Sequence, residues 1–424
     1  MGGMGLLARV GESNPPATST GWMNPARSLA IIAVVAIHAI GDTVETRYTD
    51  FGTASWWLAN AIDSSARWSV PVFLMIAGAL ALDPVKGGRP REFLLKRVFR
   101  IGIPLVVWTV VYVLFRLYYM GGRESDWDPI VAIVSGSPFV QLYFLYVLAG
   151  LTLLTPFMRL LSTHGSRRLQ WATALILLGI GMADEIFTSA FGIGELNAAT
   201  RFLPMMGFYV LGWVMRDWVL TRRQAAVATT VFVSGVLATF LWAGFGPGEK
   251  PWKFSYEYLS PMVVAMSLSG YLLLHFSMRS GFTLLHRLYP YSFGVFLLHP
   301  LLLFPMRTLI GGPVGVGDVA LHGLVLPIVY TVVCTVLTIV ALRIPLVRAA
   351  FGEGRPPQAW LRAAADEDAH AGTASGPVPS GKGPGARRGG GPGPGDRGSG
   401  ARGSGDPGTG GTGSGGTGDG PTAR

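Results

Sequence analysis

Ten apolar segments, most of them near 20 residues long, follow one another between residues 25 and 343 of the chain. A helix needs about 20 apolar residues to cross the roughly 30 Å hydrocarbon core of a bilayer. An isolated apolar segment can satisfy its backbone polar groups there only as a helix. The segments therefore predict an all-α, polytopic membrane protein with about ten transmembrane helices. They span residues 25–42, 55–82, 98–119, 138–161, 169–189, 201–219, 225–246, 256–277, 288–309 and 321–343.

The composition supports a membrane protein. Half of the 424 residues are hydrophobic and only 14% are charged. The net charge of +10 is distributed between the apolar segments and is not gathered on one face, so it does not indicate a nucleic-acid partner. The single cysteine, Cys334, excludes an intramolecular disulfide.

The loop charges predict the orientation of the chain. With the amino terminus inside, lysines and arginines concentrate in the inner loops and are sparse in the outer loops. Inner loops of membrane proteins carry this excess of basic residues. We therefore expect both termini to be cytoplasmic and the protein to be a multi-pass component of the cell membrane.

Four regions are predicted along the chain. Residues 1–22 are polar and are interpreted as a disordered cytoplasmic leader, and residues 23–348 form the transmembrane domain. Residues 349–370 form a juxtamembrane segment. Residues 371–424 are rich in glycine and contain no Leu, Ile, Met or aromatic residue, which predicts a disordered cytoplasmic tail.

The first apolar segment carries an unusual polar pattern. Arg27 and His38 are eleven residues apart, so on a helix they share a face about 16 Å apart along the axis. Asp42 follows His38 at the i,i+4 spacing that also shares this face. Intramembrane ionisable residues are costly and indicate function. The alternatives are a structural histidine satisfied by a carbonyl oxygen and, for Asp42, a solvated residue at the helix end.

Two further segments carry polar residues at membrane depth. The second contains Asp63 and Arg67 shortly before Pro71, which predicts a kinked helix or a cavity wall. The ninth contains His299 directly before Pro300, whose missing N–H frees a carbonyl oxygen and bends the helix. We regard these side chains as candidates for substrate contact or for support of His38.

Arg97 and Arg100 lie at i,i+3 near the start of the third segment. Two guanidinium groups on one helix face can bind a phosphate with paired hydrogen bonds. The alternative interpretation is ordinary positive charge at the inner end of a membrane helix. The sequence predicts no metal ligand set.

Several of these residues fall within a longer pattern that resembles the acyltransferase 3 family of integral membrane O-acyltransferases. The resemblance covers most of residues 24–343. Five motifs occur in order: Arg27 and His38 with ten residues between them, SVPVFLMIAGALAL at 69–82, KRVFRIGIPLVVW at 96–108, QLYFLYVLAGLTLLTP at 141–156 and YSFGVFLLHPLLL at 291–303.

The resemblance implies transfer of an acyl group, commonly acetyl, from cytoplasmic acyl-coenzyme A to a hydroxyl group. Acceptors in such a family are carbohydrates, glycolipids and small natural products. Carried over by position, His38 is the catalytic histidine and Arg27 its essential partner. Arg97 and Arg100 are the pair that faces the coenzyme.

Three positions depart from the family pattern. Ala77 stands where serine is usual, Tyr143 where tryptophan is common, and Phe296 where tyrosine is frequent. These departures concern the acyl or acceptor pocket more than the chemistry.

The residues and the resemblance together predict a mechanism. His38, oriented by Asp42, deprotonates the acceptor hydroxyl, and Arg67 is the candidate donor to the oxyanion. A covalent acyl-histidine relay is the alternative route. A transporter or flippase of a polar metabolite or glycolipid, and a non-catalytic membrane scaffold, are the competing functions; dependence on acyl-coenzyme A separates the enzyme from both.

Overall fold

The computed structural model describes residues 20–45, 50–85, 89–121, 127–192, 197–248, 251–278 and 282–361. The predicted tail, and the predicted leader up to residue 19, lie outside these residues. Within the described ranges all regular structure is helical, as predicted. The α-helices are α1 Met23–Glu45, α2 Ala54–Ala66, α3 Ser69–Ala81, α4 Pro90–Arg97, α5 Ile103–Tyr119, α6 Pro129–Val134, α7 Tyr143–His164, α8 Arg167–Phe191, α9 Met206–Met215, α10 Arg222–Phe245, α11 Pro251–Ser255, α12 Pro261–Ser277, α13 Thr283–Leu288, α14 Ser292–Ile310, α15 Val316–Ala320, α16 Leu326–Ala341 and α17 Pro345–Arg348.

Each of the ten predicted segments contains a helix. In the described part of the chain, eight continuous helical stretches are long and apolar enough to cross a membrane. The other two apolar helices, α9 and α12, are shorter, with 10 and 17 residues. The chain is thus a multi-pass membrane protein with eight full-length candidate spans, and its orientation stays a prediction.

Helix α1 lies inside the bundle, where it contacts α2, α3, α14 and α16. Helix α1 and the stretch formed by α2 and α3 are the most buried of the eight candidate spans. Helix α8 is the least buried and exposes large apolar side chains such as Leu175, Ile180 and Phe187. Apolar side chains on an outer helix face suit contact with lipid, so the polar residues of α1 belong to the interior.

The second predicted segment is interrupted, as expected, and forms α2 and α3. The break falls at Arg67 and Trp68, and Pro71 lies in the first turn of α3. Proline lacks the N–H that would continue the hydrogen-bond ladder from α2. The break places Arg67 at the end of a helix inside the protein, where it is 7% exposed.

A second irregularity precedes Pro104. Residues Val98–Gly102 form a π-helical turn between α4 and α5, and the N–H of Ile103 donates to the Val98 carbonyl oxygen. Because Pro104 has no N–H, the ladder cannot continue in α-helical register at this point. Turns of this kind are frequent at functional sites, and this one carries Arg100.

Helices α3 and α9 approach each other through glycines. A Cβ atom built on Gly78 would lie 1.8 Å from the Tyr209 carbonyl oxygen, and one on Gly212 would lie 1.8 Å from that of Met75. Small residues allow such close backbone contact between membrane helices. This contact fixes Ala77 and Tyr209, which both line the cavity described next.

Candidate functional site

The wall of a cavity of about 400 Å³ includes Arg27 and the two arginines that the sequence analysis assigned to the coenzyme, Arg97 and Arg100. We call this the basic cavity: its wall includes Arg27, Arg97 and Arg100 at one end, and the ring of His38 farther along α1. The three positions that depart from the family pattern, Ala77, Tyr143 and Phe296, also line it.

The Arg27 guanidinium is held by Tyr289, in the short 3-10 turn before α14. Its Nη1 donates to the Tyr289 hydroxyl at 3.2 Å, and its centre lies 5.5 Å from the ring centroid. Directly after Arg27, the Ser28 hydroxyl donates to the Leu285 carbonyl oxygen at 2.7 Å. These contacts fix the start of α1 against α13 and orient Arg27 towards the cavity.

Positive charge predominates at this end of the cavity, whose wall also includes one carboxylate among the described residues, Glu353. Among the described residues, no carboxylate forms an ion pair with Arg27, Arg97 or Arg100. Arg97 packs over the Phe93 ring at 5.0 Å. Three guanidinium groups without ion pairs suit an anionic group such as a phosphate.

The segment after α17 closes one side of the basic cavity. Residues 351–353 line it, and the Trp108 Nε1 donates to the Ala350 carbonyl oxygen at 2.8 Å. Gly352 has a φ of +74°, and a Cβ there would lie 2.7 Å from the Arg100 carbonyl oxygen. This part of the predicted juxtamembrane segment therefore belongs to the site wall.

His38 lies where two cavities meet. Its side chain and that of Tyr143 line both the basic cavity and a second cavity of about 490 Å³. The His38 ring packs against His299, with ring centroids 5.2 Å apart and an angle of 29° between the planes. No hydrogen bond joins the His38 ring to another described residue. A cavity-facing imidazole that makes no hydrogen bond to the described residues is available to a substrate.

His299 is fully buried beside His38. Its Nδ1 faces the Val295 carbonyl oxygen at 3.0 Å, and its Nε2 has no hydrogen-bond partner in the described structure. Because a carbonyl oxygen can only accept, Nδ1 is assigned the proton, which leaves Nε2 of the neutral ring as an acceptor. The predicted mid-membrane imidazole thus lies at the site.

The second cavity is acidic. We call it the acidic cavity: five carboxylates and two arginines contribute to its wall, namely Asp42, Glu45, Asp184, Glu185, Glu257, Arg67 and Arg201. Asp184, Glu185 and Glu257 form no ion pair with a described Lys or Arg. Carboxylates accept hydrogen bonds from hydroxyl and ammonium groups.

Glu257 lies in the loop between α11 and α12, outside the apolar helices. The Glu257 side chain is exposed to the acidic cavity, and partial desolvation there, together with the negative charge of Glu185, raises its pKa to about 7. No group of three or more His, Cys, Asp or Glu side chains in the described ranges could hold a metal ion. The carboxylates of the acidic wall can accept hydrogen bonds, and the charge of Glu257 changes near neutral pH.

The Asp42 carboxylate forms an ion pair with Arg307 on α14. The same guanidinium donates from Nη2 to the carbonyl oxygens of His38, at 3.0 Å, and Ala39, at 2.6 Å. Asp42 is thus connected to His38 through Arg307 and the backbone of α1.

Arg67 and Asp63 form a buried ion pair. Nη2 of Arg67 lies 2.5 Å from Asp63 and 3.2 Å from Glu45, and the guanidinium packs over the Tyr256 ring at 4.2 Å. Arg67 lines the acidic cavity and is absent from the wall of the basic cavity. Its charge is therefore already engaged by two carboxylates.

A family model described as an acyltransferase domain matches residues 20–343, which is more than half of the chain. The chain belongs to the acyltransferase 3 family. No curated protein and no solved structure matches it. Membership confirms the predicted family and indicates a membrane acyltransferase, in preference to the transporter and the scaffold.

Two groups at the site were not selected from the sequence. The sequence pattern assigned no role to Arg307, although its guanidinium binds the backbone at His38. Gln141 was read only as part of a motif, although its buried side chain lines the basic cavity. An arginine and a glutamine within apolar segments were the available signals.

Proposed function

We propose that this acyltransferase moves an acyl group, most simply acetyl, from acyl-coenzyme A in the basic cavity to a hydroxyl group in the acidic cavity. The acceptor is a carbohydrate, a glycolipid or a small natural product, and the reaction takes place at the cell membrane. The observation that carries the proposal is the position of His38, which lines both cavities.

The positive charge of the basic cavity supports binding of the acyl donor there. Arg27, Arg97 and Arg100 share the basic cavity and have no ion-pair partner among the described carboxylates. Coenzyme A carries phosphate groups at one end and its thioester at the other. We expect the arginines to bind the phosphates, so that the thioester extends along the apolar part of the cavity towards His38.

The chemistry rests on His38 as a general base. The base must reach the proton that it removes and be neutral before the reaction. The His38 ring faces both cavities and stacks on His299, whose buried Nε2 is available as an acceptor. In the proposed step His38 takes the proton of the acceptor hydroxyl while its oxygen attacks the thioester carbon.

The polar wall of the acidic cavity supports binding of the acceptor there. Carboxylates at Asp184, Glu185 and Glu257 can accept hydrogen bonds from the several hydroxyl groups of a sugar or polyol. Asp42 and Arg307 hold the α1 backbone at His38 from this side. Arg67 and Asp63 support the structure of the site and do not take part in the reaction, because Arg67 is already paired with two carboxylates.

The test is turnover of radiolabelled acetyl-coenzyme A by the purified protein in detergent. We expect wild type to release label from the coenzyme and His38→Ala to release none, because the general base is gone. Arg27→Ala should bind the coenzyme poorly. His286→Ala is the matched control, since His286 is an exposed histidine outside both cavities. A folded His38→Ala protein with wild-type turnover would refute the proposal.

A further inference from the structure

Gln141 is a buried carboxamide whose two polar atoms make no hydrogen bond of normal geometry within the described structure. It lies two residues before α7 and is 1% exposed. A buried amide left unpaired costs about 1–3 kcal/mol, and such groups are rare in folded proteins. Since Gln141 lines the basic cavity, its partner is expected to be a molecule that enters that cavity.

The position of Gln141 along the cavity identifies the part of the donor that it meets. Tyr143, two residues later, lines both cavities, so Gln141 lies at the end where they meet. At the other end of α7, Arg159 packs over Phe93 at 4.1 Å, and Arg97 packs over the same ring at 5.0 Å. Sixteen residues of helix separate Tyr143 from Arg159, or about 24 Å.

Gln141 is therefore at the opposite end of the cavity from Arg97 and at the same junction as His38. A donor that places its phosphates on the arginines has its acyl group at this junction. The part of the donor that meets the Gln141 carboxamide is accordingly the reacting end.

The surroundings of Gln141 leave few other roles for its N–H groups. Phe139, Leu142 and Leu145 are buried in the same apolar cluster. The Tyr112 hydroxyl is a polar neighbour, but its proton is donated to the Leu297 carbonyl oxygen at 2.6 Å. A purely structural role would consist of Gln141 donating to the Tyr112 oxygen.

We propose, on the basis of the acyl transfer proposed above, that Gln141 Nε2 donates a hydrogen bond to the carbonyl oxygen of the donor's acyl group. As the acceptor oxygen bonds to the acyl carbon, the acceptor's proton moves to His38. The π electrons of the acyl carbonyl group move onto the carbonyl oxygen. The resulting oxyanion is held by Gln141. It then collapses, the carbon–sulfur bond breaks, and the leaving thiolate takes the proton from His38.

A neutral, fixed donor in an apolar surrounding is effective for this purpose. Such a donor stabilises charge that develops in the transition state and needs no reorganisation when the charge appears. The role predicted from sequence for Arg67 thereby passes to Gln141, because Arg67 lines only the acidic cavity and is engaged by Asp63 and Glu45.

The experiment compares Gln141→Met and Gln141→Leu with wild type. Methionine has about the length of glutamine, and neither methionine nor leucine has an N–H or O–H donor. We expect kcat for acetyl-coenzyme A to fall about 10²- to 10³-fold in both variants, the effect of losing one oxyanion donor. The affinity for S-ethyl-coenzyme A, a thioether without the carbonyl oxygen, should stay within about twofold of wild type, which also shows that the variants are folded.

Tyr112→Phe is the control for a structural role, since it removes the hydroxyl oxygen that Gln141 could contact. We expect this variant to keep kcat near the wild-type value. Wild-type turnover in either Gln141 variant, or an equal loss of turnover in Tyr112→Phe, would overturn the role of Gln141 while leaving acyl transfer intact. Absence of both binding and turnover of acetyl-coenzyme A in folded wild type would reject the acyl transfer and this role with it.

Discussion

Arg307 on α14 donates a hydrogen bond to the main-chain carbonyl oxygen of His38 on α1, at 3.0 Å. The two residues are 269 positions apart in sequence. The same guanidinium binds the Ala39 carbonyl oxygen and the Asp42 carboxylate, and its side chain is 12% exposed. Arg307 therefore ties the backbone that carries His38 to the helix that carries His299.

Replacing Arg307 by methionine should lower kcat and leave the affinity for S-ethyl-coenzyme A unchanged, because Arg307 lines neither cavity. A small displacement of a reacting group can cost about 10²-fold in rate. Asp42→Ala should be milder, since the backbone contacts of Arg307 remain. In a double-mutant cycle on thermal unfolding, the two changes should be non-additive by about 0.5–3 kcal/mol. Additive effects would show that the ion pair does not act as a unit.

Arg97→Gln and Arg100→Gln should raise the KM for acetyl-coenzyme A and change kcat little. Both arginines line the basic cavity without an ion-pair partner in the described residues, and they are remote from His38 in the proposed binding mode. A substitution that weakens the binding of the substrate and of the transition state equally raises KM and leaves kcat unchanged. Arg168→Gln is the control, because Arg168 is exposed at the start of α8 and lines neither cavity. A fall in kcat at constant KM would place the arginines at the reacting atoms instead.

His299→Phe tests the second imidazole. Phenylalanine preserves an aromatic ring beside His38 but removes the buried Nε2, which has no partner in the described structure. The substitution also removes the hydrogen bond from Nδ1 to the Val295 carbonyl oxygen, a loss of about 1 kcal/mol that removal of the unpaired Nε2 offsets. We expect a melting temperature close to that of wild type and a fall in kcat of about 10²-fold from lost positioning of His38. Unchanged kcat would make His299 a packing residue only.

Glu257→Gln tests the raised pKa in the acidic cavity. The folded-state pKa of Glu257 is about 7, above the ordinary glutamate value near 4.5. Between these values the folded protein binds more protons than the unfolded chain, so the ionised carboxylate makes stability fall as pH rises through this range. Glu257→Gln should therefore melt at a higher temperature than wild type at pH 8.5 and at a similar temperature at pH 4. Equal melting temperatures at pH 8.5 would contradict the raised pKa.

The sequence was sufficient for those features that depend on local pattern. Apolar length predicted the helices, and Pro71 predicted the interruption that forms α2 and α3. Helical spacing placed Arg27 and His38 on one face, and both line the basic cavity. The Asp63 and Arg67 pair at i,i+4 is likewise local and is observed as an ion pair.

Contacts between distant segments could not be read in this way. The spacing of His38 and Asp42 suggested a direct pair, but Asp42 forms an ion pair with Arg307, which another helix supplies. Glu45 similarly engages Arg67 from α1. The closure of the basic cavity by Gly352 depends on a contact with Arg100, which lies 252 residues earlier in the chain. Periodicity describes one helix at a time and carries no information on its neighbours.

The claim that His38 is reached from two cavities is tested most directly by sided thiol labelling. In a Cys334→Ala background, which removes the only cysteine, His38→Cys is treated with a membrane-impermeant thiol reagent in sealed vesicles of either orientation. Ala77→Cys, in the basic cavity only, and Ser137→Cys, in the acidic cavity only, are the matched controls.

We predict that Ala77→Cys reacts from one face, Ser137→Cys from the other and His38→Cys from both. Coenzyme A should block the reaction of His38→Cys from the Ala77 face alone. Labelling of His38→Cys from a single face would contradict a histidine that serves both the donor and the acceptor.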